Sequence, residues 1–135
     1  MTETMTLLQR AVDEKGPAYR YGCGPDGELL ADRACVYAEH ADNGTAVPSC
    51  IVGHVFHYLG VSMQWILDDY DEAGNQLNAE SVDQVLSTIE ERFGLDFDPQ
   101  AMALLSDAQD MQDTVVGGTT RRPWGKILNV LQANR

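Results

Sequence analysis

Apolar residues recur at helical intervals along most of the chain, and the breaks between these runs fall at glycine and proline. Leu7, Leu8, Ala11 and Val12 line one side of a helix predicted over residues 3–15, which Gly16-Pro17 ends. From Pro17 to Pro48 the helical period disappears. Tyr19, Tyr21, Cys35, Val36 and Tyr37 favour extended structure there, and Gly22, Gly24-Pro25, Asp26-Gly27 and Asp42-Asn43-Gly44 punctuate it with turns. A small antiparallel hairpin or sheet is expected, although Glu28–Ala34 also fits a short helical turn. Pro48 to Gly60 reads as a second helix, proline at its first position and glycine just past its end. Ile51, Val52, Val55, Phe56 and Leu59 share one arc of it. Ser62–Asp68 reads as a short third helix with Met63, Ile66 and Leu67 inward and Trp65 at the rim.

The strongest stripe is Val82, Val85, Leu86, Ile89 and Phe93, opened by Ser81 and Gln84 at capping-box spacing and stopped by Gly94. Asp98-Pro99 opens a fifth helix with Ala101, Leu104, Leu105, Ala108 and Met111 inward. Residues 114–122 (TVVGGTTRR) read as a flexible connection. Pro123 then starts a last helix carrying Trp124, Ile127, Leu128 and Leu131, with Trp124 as a core anchor. The pattern predicts a mainly helical α+β fold: five or six helices around one core, with a small N-terminal antiparallel hairpin in the turn-rich region 17–47. Leu59, Val55, Ile89 and Leu86 are expected among its most buried residues.

Length and composition narrow the class. A chain of 135 residues with 44% hydrophobic and 22% charged residues fits a single globular domain over 1–135 and argues against wholesale disorder. No apolar run is long enough to span a membrane, and MTETMTLLQR lacks the apolar stretch of a signal peptide. Three cysteines without such a signal point to reduced thiols in a cytoplasm. The formal net charge of −12 excludes broad direct binding to nucleic acid or to an anionic membrane.

That charge is concentrated. Between Asp68 and Asp113 there are 13 acids and a single base, Arg92, while the rest of the chain is balanced with 8 of each. Such a block either solvates helix faces or meets a basic partner. The outward candidates are Asp83, Glu90, Glu91, Asp107 and Asp110; an acidic ridge of this kind also serves a protein that imitates a nucleic-acid backbone. Arg121, Arg122 and Lys126 form the basic cluster, able to pair with the acids of its own fold or of a neighbouring copy in a homo-oligomer.

Two stretches carry candidate chemistry. On a helical wheel Cys50, His54 and His57 fall within about 60° of one another, opposite the apolar arc, so a thiol and two imidazoles could hold a metal such as zinc. Cys35, Cys23 or His40 could add a fourth ligand. The same residues admit a Cys-His nucleophile, with thiolate character lent by the helix start. A structural role is the competing account: a small buried thiol and rim imidazoles bonded to the hairpin. From Asp69 to Glu80 the spacing resembles a calcium loop, with Asp71, Gly74 and Glu80 at positions 3, 6 and 12. Ala73 removes the ligand at position 5, so an exposed connection without metal is expected, and no cofactor is.

The stretch PSCIVGHVFHYLGV (Pro48–Val61), preceded by CVY (Cys35–Tyr37), and the later LLSDAQDMQD (Leu104–Asp113) followed by PWGKIL (Pro123–Leu128) resemble a group of small uncharacterised proteins of actinobacterial phages, of mycobacteriophage type. The resemblance implies an intracellular protein of the bacterial host's cytoplasm, and it carries over no catalytic residue. The expectation is a non-catalytic interaction protein that binds and modulates a host protein. The alternatives are the acidic mimic of nucleic acid and a metal- or thiol-dependent enzyme at Cys50, His54 and His57.

Overall fold

In the computed structural model, which describes residues 3–30 and 36–134, six α-helices and two short antiparallel hairpins enclose one core. The mainly helical α+β class is as expected. Helix α1 (Glu3–Lys15) buries Met5, Leu8, Ala11 and Val12, a spacing that keeps them on one stripe. It ends where the Gly16 N–H reaches the Val12 carbonyl at 2.7 Å, with Gly16 at φ 94°.

The chain then turns back over its own far end. The Trp124 N–H donates to the Tyr19 carbonyl at 2.8 Å and the Gly125 N–H to the Pro17 carbonyl at 2.9 Å. Gly125 permits this approach, since a Cβ there would lie 2.7 Å from the Pro17 Cβ. A single antiparallel bridge, Cys23 to Leu29, closes the next turn.

Strands β1 (Ala38–His40) and β2 (Ala46–Pro48) pair with Ala38 opposite Pro48, so the N-terminal region does contain a hairpin. Pro48 therefore ends a strand and does not start the second helix. Helix α2 is Ile51–Tyr58, and Cys50 is its N-cap. Ile51 through Phe56 are all buried. A helix buried all round over its first six residues belongs at the centre of a fold. Gly53 lets it sit directly on the Tyr37 main chain, because a Cβ would lie 2.0 Å from the Tyr37 carbonyl oxygen. Leu59 is the C-cap and only half-buried, so it is not among the most buried residues, whereas Val55, Leu86 and Ile89 are fully buried.

Helix α3 (Met63–Asp68) is capped by the Ser62 hydroxyl, which accepts from the Trp65 N–H at 3.2 Å. Leu67 is half-buried, and Trp65 meets the Phe93 ring edge-on at 5.0 Å. Helix α4 (Val82–Phe93) buries Val82, Val85, Leu86 and Ile89 and stops at Gly94 in the left-handed region, as the pattern predicts. The predicted Ser81 side-chain cap does not form. Helix α5 (Pro99–Asp113) has Asp98 as N-cap, its carboxylate accepting from the Ala101 N–H at 2.7 Å.

Residues 114–122 are a hairpin where a flexible connection is expected. Strands β3 (Val115–Val116) and β4 (Thr120–Arg121) pair across Gly117-Gly118, both at positive φ. Helix α6 (Trp124–Ala133) follows and buries Trp124, Ile127, Leu128 and Leu131. Helix α5 contacts α1, α2, α4 and α6 and is the post on which the bundle is assembled; α3 packs on the β1–β2 hairpin. No helix among the described residues is long and apolar enough to cross a membrane.

Candidate functional site

The Cys-His face is built differently from the wheel's expectation. Cys50 lies outside the helix, at φ −80° and ψ 173°, and its buried thiol accepts from the Gly53 N–H at 3.4 Å. His54 is also buried, its Nδ1 bonded at 2.9 Å to the Cys50 carbonyl and its ring edge-on to Trp124 at 5.3 Å. Trp124, the first residue of α6, lies against this face, and His54 is buried there, not held at a rim. Burial holds its pKa below the ordinary histidine value, keeping the ring neutral at physiological pH. His57 is exposed. The structure therefore turns the thiol to main chain, one imidazole inward and the other to solvent. Cys35 lies outside the described residues, Cys23 lies near the Thr120 hydroxyl at 3.9 Å, and His40 is exposed on β1. Among the described residues no three His, Cys, Asp or Glu side chains are grouped to hold a metal ion.

The neighbouring backbone donors are also taken. The buried Gln112 side chain, projecting from α5, accepts the Ile51 N–H at 2.8 Å and so caps the first turn of α2. At the far end of α2 the Tyr58 hydroxyl donates to the Glu14 carboxylate, and the Arg10 guanidinium lies over the Tyr58 ring at 4.1 Å. Burial and the Glu14 charge push the Tyr58 phenol above its ordinary pKa.

The acidic block falls mainly on α4, α5 and the loops around them. Asp83, Glu91, Asp107 and Asp110 are exposed. Glu90 is half-buried and accepts the Phe97 N–H at 2.8 Å, which fixes the turn between the two helices. Of the basic cluster, Arg121 is only 2% exposed and faces inward. Its guanidinium donates to the Tyr21 carbonyl at 3.3 Å and to the Asp113 carbonyl at 3.4 Å, while Arg122 donates to the Met111 carbonyl at 3.2 Å. Both arginines serve the C-terminal end of α5, where free carbonyls concentrate negative potential. Lys126 alone of the three is exposed.

The loop between α3 and α4 is more than an exposed connection. Tyr70 and Gln76 form an antiparallel bridge, and the Asp71 carboxylate accepts from the Ala73 and Asn75 N–H groups, each at 2.9 Å. Leu77–Ala79 make one 3-10 turn with Leu77 buried. Asn78 grips strand β1 at two points: its Oδ1 accepts from the Ala38 N–H at 2.9 Å and its Nδ2 donates to the Ala38 carbonyl at 3.0 Å. Glu80 is 5% exposed, and neither carboxyl oxygen meets a donor. Its main-chain carbonyl receives the buried Tyr37 hydroxyl at 2.7 Å. Burial raises the Glu80 pKa to about 7, reinforced by the Asp71 carboxylate within hydrogen-bonding reach. Asp71 in turn is held below the ordinary aspartate value, first by the Glu80 carboxyl beside it and then by the Asn75 and Ala73 amides. The sequence places Asp71 and Glu80 at positions 3 and 12 of a calcium-like loop, and no sequence signal marks Glu80 as buried.

Comparison of the chain with protein-family models, with curated proteins and with solved structures gives no match.

Proposed function

We propose that this chain is a non-catalytic interaction protein, which binds and modulates a basic host protein in the cytoplasm of an actinobacterium carrying a phage. The observation that supports this reading is the placement of charge. Asp83, Glu91, Asp107 and Asp110 stand exposed on two neighbouring helices, while the titratable groups that could serve as ligands or nucleophiles, Cys50 and His54, are committed to the core. A concentrated negative surface steers a positive partner and suppresses wrong ones. The resemblance of Pro48–Val61 and Leu104–Leu128 to phage proteins supports the cellular setting.

The test is affinity capture from actinobacterial lysate with the wild-type chain beside an Asp83→Lys/Glu91→Lys/Asp110→Lys variant. Glu90 is left intact because it holds the Phe97 main chain. Exposed ion pairs contribute roughly 0.2–1 kcal/mol each, and reversal adds repulsion, so a loss of at least about tenfold in affinity is expected. A folded variant that retains the same partner at unchanged affinity refutes the acidic surface as the contact. Release of the partner by duplex DNA competing for its cleft would instead identify the acidic mimic of nucleic acid.

A further inference from the structure

We propose that Glu80 and Asp71 share one proton, and that this proton latches the 69–80 loop, and through it strand β1, to the core. The inference is independent of the interaction surface proposed above. It begins from an electrostatic conflict. Both Glu80 oxygens are buried without a donor, and the side chain within reach is another carboxyl. Two ionised carboxylates in contact repel, and a buried one without donors is costly. One proton resolves both problems: Glu80, as the neutral acid, donates its O–H to the Asp71 carboxylate. Asp71 is the better acceptor of that bond because its charge is already steadied by two backbone N–H groups.

Among the described residues, the surrounding groups offer no competing charge. The Tyr37 hydroxyl is spent on the Glu80 main-chain oxygen, with neutral Gln109 of α5 at 3.5 Å behind it. Asn78 is neutral and bonded to Ala38. Asp68, at the end of α3, accepts from Gln64, and with Asp69 it is exposed, as are Glu39 and His40 on β1. Among the described residues, the charge that acts on Glu80 is that of Asp71.

The consequence follows from linkage. The closed loop holds the proton more tightly than an open, hydrated one, in which Glu80 returns to its ordinary value near 4.5. The latch is therefore fully engaged below that value. It weakens as pH rises toward about 7, where the closed form itself loses the proton, and levels off above. Each change is transmitted to β1 by Asn78, which bonds Ala38, and by Tyr37, the residue before that strand.

Two measurements test this. Carbon-13 NMR of the Glu80 carboxyl is expected to titrate with a midpoint near neutrality in the wild type, and lower by at least one pH unit in Asp71→Asn, whose amide donates to the ionised form. A wild-type midpoint below about 5.5, or an unmoved midpoint in Asp71→Asn, overturns the sharing. Hydrogen exchange at the Ala38, Leu77 and Glu80 amides, corrected for intrinsic base catalysis, reports the latch. Between pH 5 and 7.5 the opening equilibrium is expected to rise at least about fivefold, within a ceiling of about fiftyfold from the two pKa values. Amides inside α4 and α6 should show no such step. Glu80→Gln, a neutral donor at every pH, is expected to abolish it. A step that persists in Glu80→Gln, or no step in the wild type, overturns the latch. Should Glu80→Gln fail to fold, the Asp71→Asn titration and the wild-type exchange still decide.

Discussion

Gly53→Ala is the most discriminating single change, because two local rules give it opposite signs. Helix propensity favours alanine over glycine in a helix by about 1 kcal/mol. The packing forbids it. A Cβ at residue 53 would lie 2.0 Å from the Tyr37 carbonyl oxygen, 2.8 Å from its carbon and 3.0 Å from Cα, so α2 must retreat by about 1 Å. Tyr37 cannot step aside. Its carbonyl takes the Ser49 N–H at 2.9 Å, its hydroxyl reaches Glu80, and its ring lies 5.4 Å from Phe56. On the other side α2 meets Trp124 through His54. Overpacking of this kind costs about 1–3 kcal/mol, and a clash with main chain belongs at the top of that range. Loss of the Ser49 bond adds about 1 kcal/mol. After the propensity gain, the net is about 3 kcal/mol of destabilisation. In a domain of this size that lowers the melting midpoint by about 10 °C, measured by circular dichroism at 222 nm. A midpoint unchanged or raised would show that α2 does not rest on Tyr37.

Leu86→Ala should cost about 2–5 kcal/mol in urea melts, and Leu59→Ala, at a half-buried helix end, less than half as much; equal costs would contradict the assigned burial. His54 has a folded pKa below its unfolded value, so its contribution is complete above about 6.5 and is lost as pH falls through that value, and a His54→Phe variant should show a shallower stability loss between pH 6.5 and 5 than the wild type. Asp98→Ala should cost about 1 kcal/mol through its cap on α5, whereas Ser81→Ala, with no side-chain cap to lose, should fall within about 0.5 kcal/mol of the wild type; the reverse order would relocate the caps.

The stretches legible in the sequence are those whose signals are local. Val82 to Gly94 and Asp98 to Met111 combine an apolar stripe with caps at both or one end, and both helices lie where the pattern puts them. Pro48 misleads because its strand role depends on pairing with Ala38, ten residues away, and not on its neighbours. The wheel through Cys50, His54 and His57 fails for two physical reasons. Cys50 precedes the first helical residue, so its side chain does not follow the helical rotation. His54, on the face called polar, is buried against Trp124, a contact made across about seventy residues of chain. The hairpin at 114–122 was within reach of pattern reading, since β-branched pairs flank Gly117-Gly118. Glu80 was not: a buried carboxyl has no composition of its own, and its setting is created by Tyr37, Asn78 and Asp71 together.

The seam between Pro17–Tyr19 and Trp124–Gly125 bears on how the chain acquires its structure during synthesis. Pairings across more than a hundred residues cannot form until the residues near 125 have left the ribosome. Until then Tyr19 has no Trp124 to meet at 4.7 Å, and His54 has no indole edge beside it. The α4–α5 unit, whose contacts are near in sequence, can collapse earlier. The His54 ring of α2 therefore waits for Trp124, while α1 and α5 can already cover the rest of that helix. Nascent chains arrested short of residue 124 should be cut readily near residues 17–30, and those extended past residue 133 should resist.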